Sequence, residues 1–204
     1  MVVLCFAICQ VENEENDRSF LRILRPTSRA GYSPDRKGEN PRQHLKLYKG
    51  ALQADAYAGF QNLYEAGTIV EVACWAHARR KFHEIHIAHP SPTTTEAIGR
   101  IAALYAIEAE IRGSTADVRK TVRQARAAPL LDNMRTWLET TLAKLSRKSD
   151  TAAAVRYALS RWPALTRYAD DGQLEIDNNA AERALRGPVT GRSLCPPSSS
   201  AWKH

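Results

Sequence analysis

Two carboxylates could work together in this chain although they lie far apart in it. Asp55 ends the stretch LQAD, and Glu182 sits inside DNNAAERALR. The first reads as the end of a strand, the second as the opening turns of a helix. Two carboxylates delivered from separate elements can hold Mg²⁺, which takes hard oxygen ligands. Arg183 and Arg186 beside the glutamate could grip phosphates. Their plainer reading is a solvated helix face, since Arg186 lies four residues from Glu182. Each acid also has a plain reading of its own. A strand-end Asp forms turns, and a Glu near a helix N-terminus suits the helix dipole.

The second cluster is CWAHARRKFHEIHIAH. Cys74 and His77 have C-x2-H spacing, but the second pair a zinc finger needs is missing. His83, His86 and His89 do not share one tight helical face and read as surface residues. Arg79, Arg80 and Lys81 form a basic run just after a strand, where a phosphate backbone could pass. The sequence contains no G-x-S-x-G, no P-loop and no G-x-G-x-x-G, so hydrolase, nucleotide and dinucleotide signatures are excluded.

The elements that must carry these residues follow from period and punctuation. Leu52 and Ala54 alternate with Gln53 and Asp55, as in a short strand. FQNLYEAG reads as a helix closed by Gly67 in a left-handed C-cap. TIVEVACW is a second strand, apolar nearly throughout, and AHARRKFHEIH a second helix. This β-α-β-α order marks an α/β layer. Beyond Pro90 the period turns helical, with Ile98, Ile101, Leu104, Tyr105 and Ile111 on one stripe and Leu131, Met134, Trp137, Leu138, Leu142 and Leu145 on another. Ser114 with Asp117 suggests a capping box, and Ser149 an N-cap for a further helix ended by Pro163. DDGQ is a turn, Leu174–Ile176 a brief strand, and Asp177 or Asn178 the cap of the helix bearing Glu182.

Of 204 residues, 44% are hydrophobic and 25% charged, enough apolar material for a core. Lys and Arg number 29 against 22 acids, a formal charge of +7 that suits a polyanionic partner. Four irregularly spaced cysteines (Cys5, Cys9, Cys74, Cys195) do not form a disulfide framework. The apolar start MVVLCFAICQ lacks a basic flank and is too short to cross a bilayer. A cytoplasmic protein without membrane contact is expected.

Three stretches in order, LQADAYAGF, CWAHARRKF and DNNAAERALR, closely resemble bacterial transposases of the insertion sequence 66 family, as do YSPDRKGENP, LYAIE and RYALSRW. The resemblance runs from about Gly31 to Arg192. It implies a DDE transposase with a ribonuclease-H-like core and two Mg²⁺ (or Mn²⁺) ions on three carboxylates. Asp55 then matches the second Asp and Glu182 the Glu, both catalytic and metal-binding. Arg79, Arg80, Lys81, Arg183, Arg186 and Arg192 would contact DNA. Cys74 and His77 match a C-x2-H signature and, with Asp177, Asn178 and Asn179, would support the site. The implied partners are transposon-end DNA and other transposase subunits.

The fold expected is α/β, a partial ribonuclease-H-like core with a large all-helical insertion, mostly α by residue count. Residues 1–30 are expected to lie outside the family and to be disordered. Residues 31–94 would begin the core, 95–169 form the insertion, 170–192 return to the core with the Glu helix, and 193–204 form a disordered tail. The family's first Asp has no counterpart, since Asp17 lies in an acidic run without a strand and Asp35 inside YSPDR itself. A truncated transposase with impaired catalysis is therefore expected. The alternatives are a non-catalytic DNA binder that modulates an intact transposase, and a helical interaction protein whose charge is incidental.

Overall fold

The computed structural model describes residues 2–4, 6–9, 31–33, 45, 48–54, 61–65, 67 and 69–179. Mixed β structure comes first and a helical assembly follows. Strand β1 (Val2–Leu4) pairs antiparallel with β3 (Gly31–Ser33). Strand β2 (Phe6–Cys9) pairs antiparallel with β4 (Gly50–Ala54), which pairs parallel with β5 (Ile69–Val72). The order in this sheet is β2-β4-β5.

Within residues 1–30, for which disorder is expected, Val2–Leu4 and Phe6–Cys9 are strands, and residues 10–30 lie outside the described residues. The opening apolar run supplies both strands. A run of four to eight apolar residues is as compatible with a strand as with any other element, and a partner decides it. Here β4 offers that partner. The β4–α1–β5 order was legible, with α1 at Gln61–Glu65 and Gly67 at φ 75° closing it. β5 is less buried than its composition suggests. Ile69 and Val72 face the core, while Val70 is exposed and Glu71 reaches the helices.

Helix α2 (Trp75–Ala88) leads into α3 (Pro92–Glu110). Ser91 caps α3 through its side chain and Thr94 returns the bond, with Pro92 in the first turn where no amide is wanted. Helix α4 (Ala116–Val122) continues through a π-turn (Arg123–Ala127) into α5 (Ala128–Lys144). Pro129 accounts for the π-turn: it cannot donate one turn back, and its ring crowds the carbonyl there. The amide of Ala128 instead reaches the carbonyl of Arg123. Helix α6 (Asp150–Ser160) is capped by Ser149, whose hydroxyl accepts from Ala152 N at 3.2 Å. A short α7 (Trp162–Thr166) runs into a 3₁₀ turn (Arg167–Ala169).

Three local expectations are corrected. Thr115, not Ser114, precedes α4, and it makes no side-chain cap. Pro163 does not end α6, which stops at Ser160. It opens α7, where a proline costs nothing in the first turn. Leu174–Ile176 is not a strand. Its carbonyls are taken from elsewhere rather than by a ladder: Leu174 O by the side chains of Arg119 and Arg123, Glu175 O by that of Gln53, and Ile176 O by the amide of Trp75.

One apolar cluster joins both parts. Ala51 and Val72 of the sheet pack in the same core as Trp75, Phe82, Ile101, Leu104, Met134, Leu138, Val155 and Leu165. Trp75 is completely buried, stands edge-on to Trp162 at 5.9 Å, and donates its indole N–H to Leu165 O at 2.8 Å. Such a pair adds about 0.5–1.5 kcal/mol beyond burial of area alone. Glu71 of β5 binds Arg161 through its carboxylate and Arg167 through its carbonyl, fixing the strand to the helices.

Candidate functional site

The three family-like stretches meet where β4 and β5 end. Gln53, two positions before Asp55, is buried on β4, and its amide nitrogen donates to Glu175 O at 3.0 Å and Ala73 O at 3.5 Å. The amide of Trp75 donates to Ile176 O at 3.1 Å. LQAD, ACWAH and LEIDNN are therefore joined by direct hydrogen bonds despite their distance in sequence. A buried polar side chain must find partners. Gln53 meets that demand by bridging the other two stretches.

Asp177 organises the far side of this junction. Its Oδ1 accepts the amide of Asn179 at 3.0 Å, the bond of a capping Asx turn. Its Oδ2 accepts the Asn179 side-chain amide at 2.6 Å and the Tyr105 hydroxyl at 2.9 Å. Burial, reinforced by the Asp177 carboxylate, raises the Tyr105 pKa, so this phenol stays a donor at neutral pH. Asp177 thus ties the start of the DNNAAER segment to α3. Tyr105→Phe removes one charge-assisted bond at a half-buried position. We expect a loss of about 1 kcal/mol, seen as a lower urea midpoint with unchanged slope.

Cys74 precedes α2 and is buried. Burial raises its pKa to about 11, opposed by backbone amides of Asn178, His77 and Ala76. The group is a neutral thiol that receives N–H bonds, one of them from the DNN segment. Cys74 and Asn178 are neighbours. Asn178 is itself buried, and its side-chain amide has no hydrogen-bond partner among the described residues. His77 lies half-buried in the first turn of α2.

The basic run occupies the outer face of α2, where Arg79, Arg80 and Lys81 are all exposed. Two clefts flank it. One, of about 540 Å³, is lined by Arg79, Arg80, His83, Tyr105 and Asn179. The other, of about 580 Å³, is lined by Arg80, Lys81, Glu84, Tyr157, Ser160 and Arg161. The first cleft opens beside the DNN segment and has no acid in its lining. His83 and His89 are exposed, while His86 shares a 2.9 Å hydrogen bond with Thr94.

Asp55, Glu182, Arg183, Arg186 and Arg192 lie outside the described residues. Among those described, no group of three or more His, Cys, Asp or Glu could hold a metal ion, and no helix is long and apolar enough to cross a membrane. The sequence reading passed over Gln53, Tyr105 and Trp75 as site residues. Gln53 carried a signal, being a polar residue inside an apolar strand. Tyr105 carried none, because its place on the α3 stripe reads as core.

The family model described as the transposase IS66 family matches residues 13–202. The match extends past Gly31–Arg192 at both ends, so much of the segment expected to stand outside the family falls within it. The uncharacterized protein y4hP of Sinorhizobium fredii is 39% identical over 193 residues, covering 87% of this chain and 35% of that protein. Its counterpart y4qI is 40% identical over 151 residues, covering 71% and 28%. A third, y4jD, is 31% identical over 192 residues, covering 91% and 38%. The chain thus spans about a third of the length of these relatives. No solved structure matches it. The chain belongs to the IS66 family of transposases.

Proposed function

We propose that this chain is the part of a DDE transposase that binds transposon-end DNA and holds two of its metal-binding carboxylates, on a partial ribonuclease-H-like core (31–94 and 170–192) interrupted by a helical insertion (95–169). Asp55 and Glu182 are the carboxylates. Their hard oxygens suit Mg²⁺ or Mn²⁺, which would supply Lewis-acid stabilisation of charge on a phosphate under attack.

The observation that carries the reading is the hydrogen-bonded junction of Gln53, Trp75 and Glu175–Asn179. Asp55 follows Gln53 by two residues, and Glu182 follows Asn179 by three. Chain so short has little reach, which favours a common location for the two acids. Asp177 is already occupied by Tyr105 and Asn179, so its role is to orient the following helix rather than to bind a cation. Arg79 and Arg80 face the cleft beside this junction and would hold the DNA backbone, with Arg183, Arg186 and Arg192 adding charge.

Catalysis is expected to be weak in this chain by itself. Of the two strands beside β4, Phe6–Cys9 contains no acid to serve as a third carboxylate, and Glu71 of β5 is bridged to Arg161. Losing one of three shared ligands should weaken both metal positions. Binding of DNA without cleavage is then the outcome expected of the isolated chain.

Iron-directed cleavage tests the paired acids independently of turnover. Fe²⁺ with ascorbate and peroxide, standing in for Mg²⁺, should cut the polypeptide near residues 55 and 182. Excess Mg²⁺ should suppress the cuts, and the Asp55→Asn, Glu182→Gln double variant should abolish them. Cuts confined to other positions, or indifferent to the double variant, would overturn the assignment.

A further inference from the structure

We infer that DNA crosses α2 from the cleft beside Asn179 to the cleft beside Tyr157, so that the helical insertion forms part of the DNA-binding surface. This rests on the DNA-processing reading above and adds a path to it.

Arg80 lines both clefts and stands on the ridge between them. Arg79 extends the basic surface toward the DNN segment, and Lys81 extends it toward α6. On that second side the cation of Lys81 lies 4.5 Å from the centre of the Tyr157 ring, and Arg161 lies 5.8 Å from it. Arg161 is also held by Glu71, so it is fixed in place rather than free to sweep. Tyr157 therefore orders two cations at the mouth of the cleft, and the Ser160 hydroxyl is exposed beside them. Glu84 is the single acid in that lining.

The dimensions suit a nucleic-acid backbone. A helix with its side chains is about 10–12 Å across. At about 3.4 Å of duplex axis per phosphate on one strand, crossing α2 takes roughly three phosphates. Arg79, Arg80 and Lys81 are consecutive, so they fan around the helix from one cleft to the other rather than stacking on one face. That spread is poorly suited to gripping one small anion. It is well suited to a strand laid across the helix. The Ser160 hydroxyl already donates to Tyr157 O at 3.0 Å, so Ser160 marks the strand's path by its exposed position rather than by donating to a phosphate.

The test measures DNA affinity of the whole chain against salt, using a duplex that carries the element's terminal sequence. Lys81→Gln should flatten the slope of log affinity against log salt by about 0.9, the loss of one phosphate contact. Arg126→Gln, at an exposed arginine outside both clefts that is bridged to Glu110, should leave the slope unchanged. Ser160→benzoylphenylalanine should photo-cross-link to the DNA, and Thr140→benzoylphenylalanine on α5 should not. If the parent chain binds DNA but Lys81→Gln keeps its slope, or position 160 fails to cross-link, the path is overturned and the DNA-processing reading stands. If the parent chain binds no DNA, both fall.

Discussion

Arg123→Met should lower folding stability by about 3–5 kcal/mol, the cost of breaking a buried charge pair from one side. Arg123 is fully buried. Its Nε and Nη2 donate to the two carboxylate oxygens of Glu108, at 2.8 and 2.6 Å. Nη1 donates to three carbonyls: Tyr168 at 2.9 Å, Asp171 at 3.1 Å and Leu174 at 2.9 Å. The guanidinium also stacks over the Tyr168 ring, 5.1 Å from its centre. Methionine fills similar space but leaves the Glu108 carboxylate with Arg119 at 4.0 Å, too far for a good hydrogen bond. At about 2 kcal/mol per molar urea, the midpoint should fall by about 1.5–2.5 M. Adding Glu108→Gln to Arg123→Met should restore part of the loss, because it removes the stranded charge. A double variant no more stable than Arg123→Met would mean that the carbonyls, not the carboxylate, carry the effect.

Arg123 matters beyond stability because of what its carbonyl partners lead into. Tyr168 to Leu174 is the turn that delivers Glu175–Asn179 to the junction with Gln53 and Trp75. Arg119 reinforces it, binding Leu174 O at 3.0 Å and the Glu175 carboxylate at 2.9 Å. Two arginines, one on α4 and one in the π-turn after it, thus set where the DNNAAER segment begins. The helical block braces the segment that follows Leu174 rather than merely linking what comes before it to what comes after.

That brace shows where sequence reading stops. Helices α3, α5 and α6 announce themselves because a 3.6 period and a Ser or Pro at the start are local facts. The strand pair β4–β5 is local in the same sense, with Gly67 marking the turn between its parts. Leu174–Ile176 misleads for a reason that is not local. Alternation suggests a ladder, but Gln53, Trp75, Arg119 and Arg123 claim its carbonyls from elsewhere in the chain. Arg123 reads as one more surface charge, since arginine is rarely buried without a partner. Its partner, Glu108, is on another helix and becomes visible only in three dimensions. The motif residues behaved differently. Asp177 could be singled out because capping is a short-range rule, whereas Tyr105, which completes the Asp177 set, could not.

Gly172→Ala should be the most disruptive small change in the chain's final turn, lowering stability by about 3 kcal/mol, the upper end for overpacking. The reason is space, not dihedral freedom, for Gly172 is not among the glycines with positive φ. A methyl group there would meet the backbone of Ala116, 1.8 Å from its oxygen and 2.5 Å from its carbonyl carbon. Ala116 opens α4, so the obstacle is the first turn of a helix, not the movable end of a side chain. Either α4 must shift or the turn must back away. Retreat of the turn would pull Asp171 O and Leu174 O off Arg123, so the clash and the arginine clamp are two aspects of one approach. Gly99→Ala supplies the contrast: it is helical and exposed, and nothing lies within 4 Å of the added carbon. There alanine should stabilise by about 0.5–1 kcal/mol through helix propensity alone. Urea midpoints moving in opposite directions for the two variants would support the close approach of the turn to α4. A Gly172→Ala chain that unfolds at the parent midpoint would show that this turn does not rest against Ala116, and that α4 does not set where the DNNAAER segment begins.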